Sequence, residues 1–404
     1  MNIKIPPKNI LLVLSSVIMI YLFIYYIFVG VTTSPTEGDS VYIHIPIAKN
    51  ILAGKVLHPH NSSLVSSNPA SSELLLAAFL ALHVPLNLYN VLATVILFFV
   101  LVSLGQTFGL AKNFSLFFAF SLCSLYDVLR YVNTQKIDIW LLVFYAFSLQ
   151  LLQKPEKKLS YFLKLGLALG MVAGSKYSSP FYLLILLCFY GKNVMQTLNI
   201  RRFFAFFIPF SLFGLTWYIR NYVTWGDPFY PQNFLFFKGD PHSLLYSWPY
   251  WKIALSYPLA FINALISEYM VWVLSFALVF LMFLGNVALN KFQRIEPVRK
   301  IILLGLVNFI LFLFLPAAPA HDYNAIVYGI RYSFPALLTI MLGVFCIADI
   351  YKQNELIIVT TFLNMSFLLF SFPYHPKLLF LFVPFVTILL LSLAGFLKIH
   401  FEEN

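Results

Sequence analysis

Long apolar runs separated by short polar segments dominate the chain. An α-helix needs about 20 mostly apolar residues to cross a bilayer, and many of the runs reach or approach that length. The pattern therefore predicts an all-α polytopic membrane protein with about 12 (11–13) transmembrane helices, in a single integral-membrane domain over residues 1–404. The sixth run is short and leaves the count open. The runs fall at about 10–30, 87–108, 113–130, 137–153, 161–178, 180–191, 203–219, 268–289, 301–316, 333–350, 355–372 and 378–397.

Composition agrees with this class of protein. Hydrophobic residues make up 61% of the chain, charged residues only 10%, and the mean hydropathy is +0.85. Aromatic residues reach 18%, as expected where Tyr and Trp form belts at the membrane–water interfaces. Cys123, Cys188 and Cys346 lie far apart in apolar runs, so they predict neither a disulfide framework nor a metal-binding spacing.

The distribution of basic residues predicts the orientation. Most of the 26 Lys and Arg residues lie in short loops at alternate ends of the predicted spans. This places both termini in the cytoplasm. The compact sequence, in which we find no water-soluble domain, favours the cytoplasmic (inner) membrane. Although the net charge is +11, the basic residues are scattered, which favours contacts with anionic membrane lipids or phosphate-bearing substrates over nucleic acid.

Two outer loops are long enough to carry a site. The first outer loop, 31–86, should contain a short helix near 46–53, with proline in its first turn and Gly54 at its C-terminal stop. A second short helix, near 71–83, should lie on the membrane surface. Residues 220–262 form an outer loop rich in Trp, Tyr, Phe and Pro, a composition suited to the membrane interface.

An acidic pair follows the first span in the pattern Glu37-Gly38-Asp39-Ser40. Carboxylates are scarce in this chain, 15 in 404 residues, and ionisable residues of membrane proteins commonly mark a functional site. Asp39 is the candidate general base that takes a proton from an acceptor hydroxyl or amine, with Glu37 as the alternative. A single carboxylate suffices if the leaving group is a phosphate, which departs without being protonated. The competing interpretation is that Asp39 caps a helix N-terminus.

Three cations on the predicted outer side indicate a phosphate site. Lys176, Arg220 and Arg331 each lie at the end of a span beside an aromatic residue, against the tendency of positive charges to stay in the cytoplasm. Arginine offers a planar fork to phosphate oxygens and lysine a point charge. Taken singly, each could instead extend to lipid headgroups. Asp138, at the start of the fourth span, is a candidate acceptor for a sugar hydroxyl, a partner for a cation, or a partner for the helix dipole.

No cofactor and no metal are predicted, and a divalent cation is left open. The segment His58-Pro59-His60 lacks the cysteine or helical histidine partner that a zinc site needs. Glu268 and Asp322 are weaker candidates among the outer acids, and the outer histidines His44 and His321 have no assigned role.

In this order, the motifs resemble the GT-C superfamily of integral-membrane glycosyltransferases, which includes the protein O-mannosyltransferases and the aminoarabinose transferases. The resemblance covers residues 37–335, and its most specific part is an Arg-Asn segment with a Gly-x-Pro tail. The four motifs are Glu37-Gly38-Asp39 with Tyr42, Ala48 and Gly54; Gly170 with Ser175-Lys176-Tyr177; Trp217-Tyr218-Ile219-Arg220-Asn221-Tyr222 with Gly226-Asp227-Pro228-Phe229-Tyr230-Pro231; and Arg331-Tyr332 with Pro335.

The resemblance implies a polyprenyl-phosphate-linked sugar as donor, transfer with inversion at the outer face, and a first-loop acid, here Asp39, as base. The acceptor would be a glycan, a lipid or a protein. The residues that we predict around the lipid phosphate and the sugar are Tyr42, Asp138, Lys176, Arg220, Asn221, Arg331 and Tyr332.

Two departures and two rival functions accompany this resemblance. Gly38 separates the two acids that many relatives have side by side, and a His-Pro-Pro segment common after that loop is absent. A transporter or flippase of lipid-linked saccharides is one rival, but such proteins tend to show mid-bilayer polar groups and related halves, and neither is evident. An O-antigen polymerase or ligase is the other rival, since it shares long outer loops with arginines.

Overall fold

Every regular element is a helix in the residues that the computed structural model describes, which are 8–56, 67–232, 237–240, 248–273, 296–315, 323–350 and 352–371. Short π-helical turns cover Ser40–His44 and Ser211–Leu215, and 3₁₀ turns cover Leu86–Leu88, Met270–Trp272 and Ile330–Ser333. The α-helices are α1 (Lys8–Thr32), α2 (Ile45–Leu52), α3 (Ser71–Ala81), α4 (Tyr89–Thr107), α5 (Lys112–Cys123), α6 (Tyr126–Leu129), α7 (Asp138–Gln153), α8 (Leu159–Ala173), α9 (Ser179–Met195), α10 (Ile200–Phe210), α11 (Thr216–Trp225), α12 (Tyr250–Ser256), α13 (Pro258–Tyr269), α14 (Glu296–Phe314), α15 (Tyr323–Gly329), α16 (Phe334–Ile350) and α17 (Asn354–Ser371).

Five helical stretches in the described part of the chain are long and apolar enough to cross a membrane, and they support the prediction of an integral membrane protein. Four shorter apolar helices, α3, α7, α8 and α9, accompany them. The predicted span at 378–397 and most of that at 268–289 lie outside the described residues, so the count of about twelve stays a prediction. The five stretches are Asn9–Thr32, Leu86–Thr107, Ile200–Trp225, Glu296–Phe314 and Ile326–Ile350.

The stretches differ in how deeply they lie within the protein. In an apolar 18-residue window of the Ile326–Ile350 stretch 83% is buried within the protein, whereas in such a window of the Ile200–Trp225 stretch only 17% is buried. Helix α16 is therefore a central helix, and α10 with α11 forms an outer wall whose apolar side chains suit contact with lipid. Arg331 stands in the turn that leads into the central helix. The fold therefore places Arg331, a charged residue in a chain that has few of them, at the centre of one end of the helix bundle.

The single span predicted at 113–130 is wrong. Helix α5 ends at Cys123 and α6 begins only at Tyr126, because Leu125 between them is extended (φ −66°, ψ 140°). The break directs Arg130 into the protein, where it pairs with Glu268 of α13 at 2.9 Å. The break between α5 and α6 therefore comes with a buried ion pair between distant parts of the chain. The apolar pattern of the local sequence does not reveal it. The predicted loop at 220–262 likewise contains α12 and the first part of α13.

The helices predicted in the first outer loop are present. Helix α2 has proline in its first turn, and Gly54 just beyond it adopts a left-handed backbone (φ +70°), as the sequence predicts. Helix α3 starts at Ser71 and ends at Ala81, two residues short of the prediction. Its first turn is buried rather than free on a surface, because Ser71 N donates to Gly174 O at 2.8 Å.

A stripe of glycines on α8 lets the outer wall approach closely. Gly166, Gly170 and Gly174 are spaced four residues apart, so they share one face of the helix. A Cβ atom at Gly174 would overlap the carbonyl oxygen of Phe213 and the hydroxyl of Ser71. Small residues at this spacing allow helix backbones to pack closely in membranes. The contact fixes the end of α8, and therefore the position of the Ser175-Lys176 segment that follows it.

Candidate active site

A cavity of about 700 Å³ lies where the first outer loop, α3 and the starts of α7 and α16 meet. Its lining combines charged and apolar groups, the combination that an amphiphilic ligand requires. The ionisable lining residues are Asp39, His44, Glu73, Asp138, Lys176 and Arg331. The apolar ones include Ile43, Phe181, Leu311, Phe314 and Leu315.

Glu37 organises the turn that presents Asp39. Its carboxylate accepts hydrogen bonds from the backbone N–H of Ser40 at 2.8 Å and of Asp39 at 3.2 Å. Asp39 itself makes no side-chain capping bond to the Ser40–His44 turn, so the capping interpretation of Asp39 is wrong and Glu37 fills that role. Ser40 Oγ accepts from the backbone N–H of Gln135 at 3.0 Å, which ties the loop to the segment before α7.

Lys136 links the two acids of the first loop. Its Nζ lies 3.0 Å from Glu37 Oε1 and 3.0 Å from Asp39 Oδ2. The lysine is almost fully buried, and its ammonium lies 5.0 Å from the centre of the Tyr131 ring. A cation held by two carboxylates and an aromatic face is fixed in position without a bound ligand.

Arg331 connects the first loop to the start of α7. Its Nη2 lies 3.4 Å from Asp39 Oδ2, and its Nε lies 3.3 Å from Asp138 Oδ2. Its Nη1 donates to the hydroxyl of Tyr131 at 3.4 Å. Lys176 forms a short ion pair with the other oxygen of Asp138, and its Nζ lies 4.4 Å from the centre of the Tyr332 ring.

The ion pairs form a continuous chain of alternating charge. Three acids and three cations take part, so their charges balance in the ligand-free site. The arrangement places two cations, Lys176 and Arg331, on the cavity wall with their positions already fixed. Such preorganised cations can stabilise negative charge that develops on a bound group. Along the contacts, the chain runs Glu37, Lys136, Asp39, Arg331, Asp138 and Lys176.

The two acids of the first loop are held in their charged form. Burial acts to raise the pKa of Asp39, but the Lys136 charge and hydrogen bond and the Arg331 charge outweigh it, so the pKa lies below the ordinary value of 3.8. Burial likewise acts to raise the pKa of Glu37, and Lys136 with the Ser40 hydrogen bonds lowers it below 4.5. Both carboxylates are therefore ionised at neutral pH.

Arg220 and Asn221 lie behind the cavity rather than on its wall. Arg220 donates to the backbone oxygens of Ser67 at 2.7 Å and Asn68 at 3.2 Å, and also to Asn221 Oδ1. The Asn221 amide donates to Ser67 O and to the Tyr177 hydroxyl, both at 2.8 Å. These bonds hold the segment before α3 in place. The structure therefore brings Asp39, Asp138, Lys176, Arg331 and Tyr332 to one cavity but not Arg220 or Asn221.

Tyr42 does not line the cavity either. Its side chain is 79% exposed on the π-helical turn, which makes it available to a partner outside the protein. Among the weaker candidates, Glu268 is buried beside Arg130. Asp322, His58, His60 and His321 lie outside the described residues.

Sequence reasoning did not select Lys136, Tyr131 or the His44–Glu73 contact. A signal for Lys136 was present, because a basic residue two positions before Asp138 opposes the orientation rule just as Lys176 does. For Tyr131 and the His44–Glu73 contact no comparable local signal exists, since their partners lie far away along the chain. In the described part of the chain, no three His, Cys, Asp or Glu side chains form a group that could hold a metal ion.

Fold and site together define a polytopic helical membrane protein with a charged, partly apolar cavity at one end of its bundle. No family model matches the chain, and no curated protein matches it by sequence. The fold is similar to the crystal structure of ArnT from Cupriavidus metallidurans in the apo state, with a TM-score of 0.58 at 12% sequence identity. The match covers 89% of this chain but 64% of the ArnT chain. This similarity supports an ArnT-like helical membrane fold.

Proposed function

We propose that this chain is a GT-C-type glycosyltransferase that moves a sugar from a polyprenyl-phosphate-linked donor to an acceptor. One observation carries the proposal: Asp39 lies between two cations, 3.0 Å from Lys136 and 3.4 Å from Arg331, on the wall of a cavity that also has apolar lining. A base beside fixed cations is what displacement of a phosphate by a hydroxyl or amine requires. The GT-C-like fold shared with ArnT supports the same class of reaction.

The donor fits the two kinds of lining. Lys176 and Arg331 would bind the phosphate, because a planar guanidinium and an ammonium both donate to phosphate oxygens. Leu311 and Phe314 of α14 would contact the polyprenyl chain, and Phe314 is 65% exposed, so the lipid would pass from the cavity directly into the bilayer. Tyr332 contacts Lys176 and would keep that cation on the cavity wall.

The phosphate would replace carboxylates as the partner of the cations. In the free site, Arg331 is shared by Asp39 and Asp138. A bound phosphate would draw Arg331 away from Asp39 and leave that carboxylate less neutralised, hence a better proton acceptor. Donor binding would then activate the base, while Asp138 keeps Lys176 and Arg331 in position.

The reaction would proceed in one displacement with inversion at the anomeric carbon. Asp39 would take the proton as the acceptor oxygen or nitrogen attacks that carbon, and the bond to the phosphate oxygen would break. Lys176 and Arg331 would stabilise the charge that the leaving lipid phosphate gains. Glu37 would act by fixing Lys136 and the Asp39 turn. Arg220 and Asn221 would support the wall of the cavity, and exposed Tyr42 would contact the acceptor.

The proposal also includes the side of the membrane on which the cavity lies. The orientation predicted from basic residues puts the cavity at the outer face of the cytoplasmic membrane, with both termini inside. A glycan, a lipid or a protein could present the acceptor group there. The proposed chemistry includes no divalent metal, and activity measured with and without EDTA tests this point.

Product identity tests the proposal against its rivals. The purified full chain in lipid nanodiscs would receive radiolabelled sugars on polyprenyl monophosphate or diphosphate, together with hydroxyl and amine acceptors. We expect release of polyprenyl monophosphate that matches the sugar transferred. Release of lipid diphosphate would indicate a polymerase or ligase, and movement of the intact donor across proteoliposomes without release would indicate a flippase. Either result would overturn the proposal.

A further inference from the structure

A histidine–carboxylate pair lies on the same cavity, outside the chain of alternating charge. His44 Nδ1 is 2.8 Å from Glu73 Oε1. The His44 side chain is 13% exposed and the Glu73 side chain only 2%, so the ring is the more accessible of these two cavity-lining groups. Glu73 Oε2 is buried and has no hydrogen-bond partner among the described residues.

The contact fixes which nitrogen of His44 is free. Where the Glu73 carboxylate accepts this hydrogen bond, Nδ1 of His44 carries the hydrogen. In the neutral ring, Nε2 then has the lone pair, and no described residue bonds to it. A proton taken up at Nε2 would place a positive charge beside a buried carboxylate, which otherwise has an unpaired oxygen.

The π-helical turn places His44 on the same side as Asp39. Backbone bonds in a π-helix join residues five apart, whereas an α-helix joins residues four apart. Asp39 and His44 are five residues apart at the two ends of this turn, and both line the cavity. In an α-helix, side chains five apart would point about 140° away from each other, at about 3.6 residues per turn. The rare turn therefore brings two proton-accepting groups to one site.

Asp39 alone does not retain a proton well at neutral pH. When a bound phosphate draws Arg331 away, Asp39 stays paired with Lys136, whose charge and hydrogen bond lower the Asp39 pKa against the opposing effect of burial. A carboxylic acid of that strength gives up its proton readily at neutral pH. A nearby imidazole with a free nitrogen, oriented by a buried carboxylate, can receive it.

We propose that His44, oriented by Glu73, receives the proton that Asp39 removes from the acceptor and passes it to solvent. This rests on the proposed function and adds a catalytic residue to it. The acceptor's electron pair forms the bond to the anomeric carbon, and the electron pair of the breaking bond stays on the lipid phosphate. The proton moves from the acceptor to Asp39, then to His44 Nε2, and leaves to water. Glu73 neutralises the imidazolium without changing its own protonation.

Turnover of a His44→Gln variant in nanodiscs tests this role. We expect turnover to fall about 100-fold, which is the lower range for losing a proton-transfer group. The Michaelis constant for the donor should stay within about twofold, because His44 does not contact the phosphate cations. Free imidazole in the buffer should restore turnover in proportion to its concentration. Glutamine cannot take the proton, and added imidazole can.

Two further variants sharpen the test. His83→Asn is the matched control, because His83 is exposed beyond α3 and its left-handed backbone (φ +54°) suits asparagine. It should keep full turnover and gain nothing from imidazole. Glu73→Gln keeps an oxygen for His44 Nδ1 but removes the charge, so turnover should fall about tenfold with the donor Michaelis constant unchanged.

Several outcomes would overturn the relay. One is a His44→Gln variant with turnover within twofold of wild type. Another is a His44→Gln variant that loses turnover, donor binding and thermal stability together and gains nothing from imidazole, which would make the pair structural. Full turnover of Glu73→Gln would remove Glu73 from the role. A wild-type protein that releases no lipid phosphate would instead contradict the proposed function itself, so the two failures are distinguishable.

Discussion

Arg331 Nη2 lies 3.4 Å from Asp39 Oδ2, although the two residues are 292 positions apart in the chain. The same guanidinium reaches Asp138 through Nε at 3.3 Å. One side chain therefore joins the first outer loop, the start of α7 and the turn before α16. The cavity depends on these three segments, so Arg331 should affect both the position of Asp39 and the binding of an anionic ligand.

Replacing Arg331 by lysine should separate geometry from charge. Lysine keeps the positive charge but lacks the planar fork that reaches two carboxylates at once. We expect kcat/KM with a polyprenyl-phosphate sugar to fall at least about tenfold, a loss of about 1.4 kcal/mol in transition-state stabilisation. Lys252→Ala removes a cation that instead stacks on Trp248, and it should leave kcat/KM unchanged. Full activity of Arg331→Lys would show that the planar fork of arginine is not needed at this position.

Arg220 should act on stability more than on donor recognition. It is 5% exposed and donates to two backbone oxygens, those of Ser67 and Asn68. Hydrogen bonds from a charged group contribute about 1.5–3 kcal/mol each, so Arg220→Met should lower the melting temperature in detergent by several degrees. The donor Michaelis constant of the fraction that stays folded should rise less than in Arg331→Lys. A normal melting temperature with a sharply raised donor Michaelis constant would instead place Arg220 at the phosphate.

The first-loop ion pairs predict a pH dependence of stability. Asp39 and Glu37 have folded-state pKa values below their ordinary values of 3.8 and 4.5. Groups with a lowered folded pKa stabilise the protein above those ordinary values, and the contribution is lost as pH falls through the folded pKa. Lys136→Met removes a main cause of the shift. Wild type should therefore exceed this variant in stability by more at pH 7 than at pH 3.

The pH-dependent part should be small. The side chains of Glu37 and Asp39 are 32% and 40% exposed, so solvent screening limits it to about 1 kcal/mol or less. Thermal melts of both proteins at pH 7, 5, 4 and 3 provide the comparison. A difference between the two proteins that stays constant over this range would show that Lys136 does not set the ionisation of the two acids.

Two glycines near the site should differ in their tolerance of alanine. At Gly174, a Cβ atom would overlap the Phe213 carbonyl oxygen and Ser71, so Gly174→Ala should cost about 1–3 kcal/mol. It should also lower activity, because it moves the segment that carries Lys176. At Gly38, between Glu37 and Asp39, nothing lies within 4 Å of the same atom, and Gly38→Ala should be neutral. The melting temperatures of the two variants test this prediction. An unchanged melting temperature of Gly174→Ala would contradict the close packing of α8.

The scarcity of charge explains how much of the site the sequence could reveal. In a chain with few ionisable residues, Asp39, Asp138, Lys176 and Arg331 are conspicuous, and all four line the cavity. Helix α2 could also be predicted from the sequence, because proline and Gly54 act through local backbone geometry.

The features that could not be predicted from the sequence depend on contacts between distant segments. The pairing of Lys136 with Asp39 spans almost a hundred residues, and that of His44 with Glu73 spans 29. Apolar periodicity locates helices but does not set which of their ends meet. The break after Cys123 has the same origin, since neither glycine nor proline marks it and Arg130 finds its partner on α13. Arg220 shows the reverse case, a conspicuous charge that supports the backbone instead of lining the cavity.

The central claim is that Asp39 removes a proton while the lipid phosphate leaves. Its most direct test is the rate of polyprenyl phosphate release by purified Asp39→Asn in nanodiscs, beside wild type and Glu156→Gln, a control acid that is 55% exposed in a surface pair with Lys158. We expect wild type and the control to release the lipid phosphate at equal rates. Asp39→Asn should be slower by at least about 100-fold while binding the donor. Release by Asp39→Asn at half the wild-type rate or more would contradict the claim.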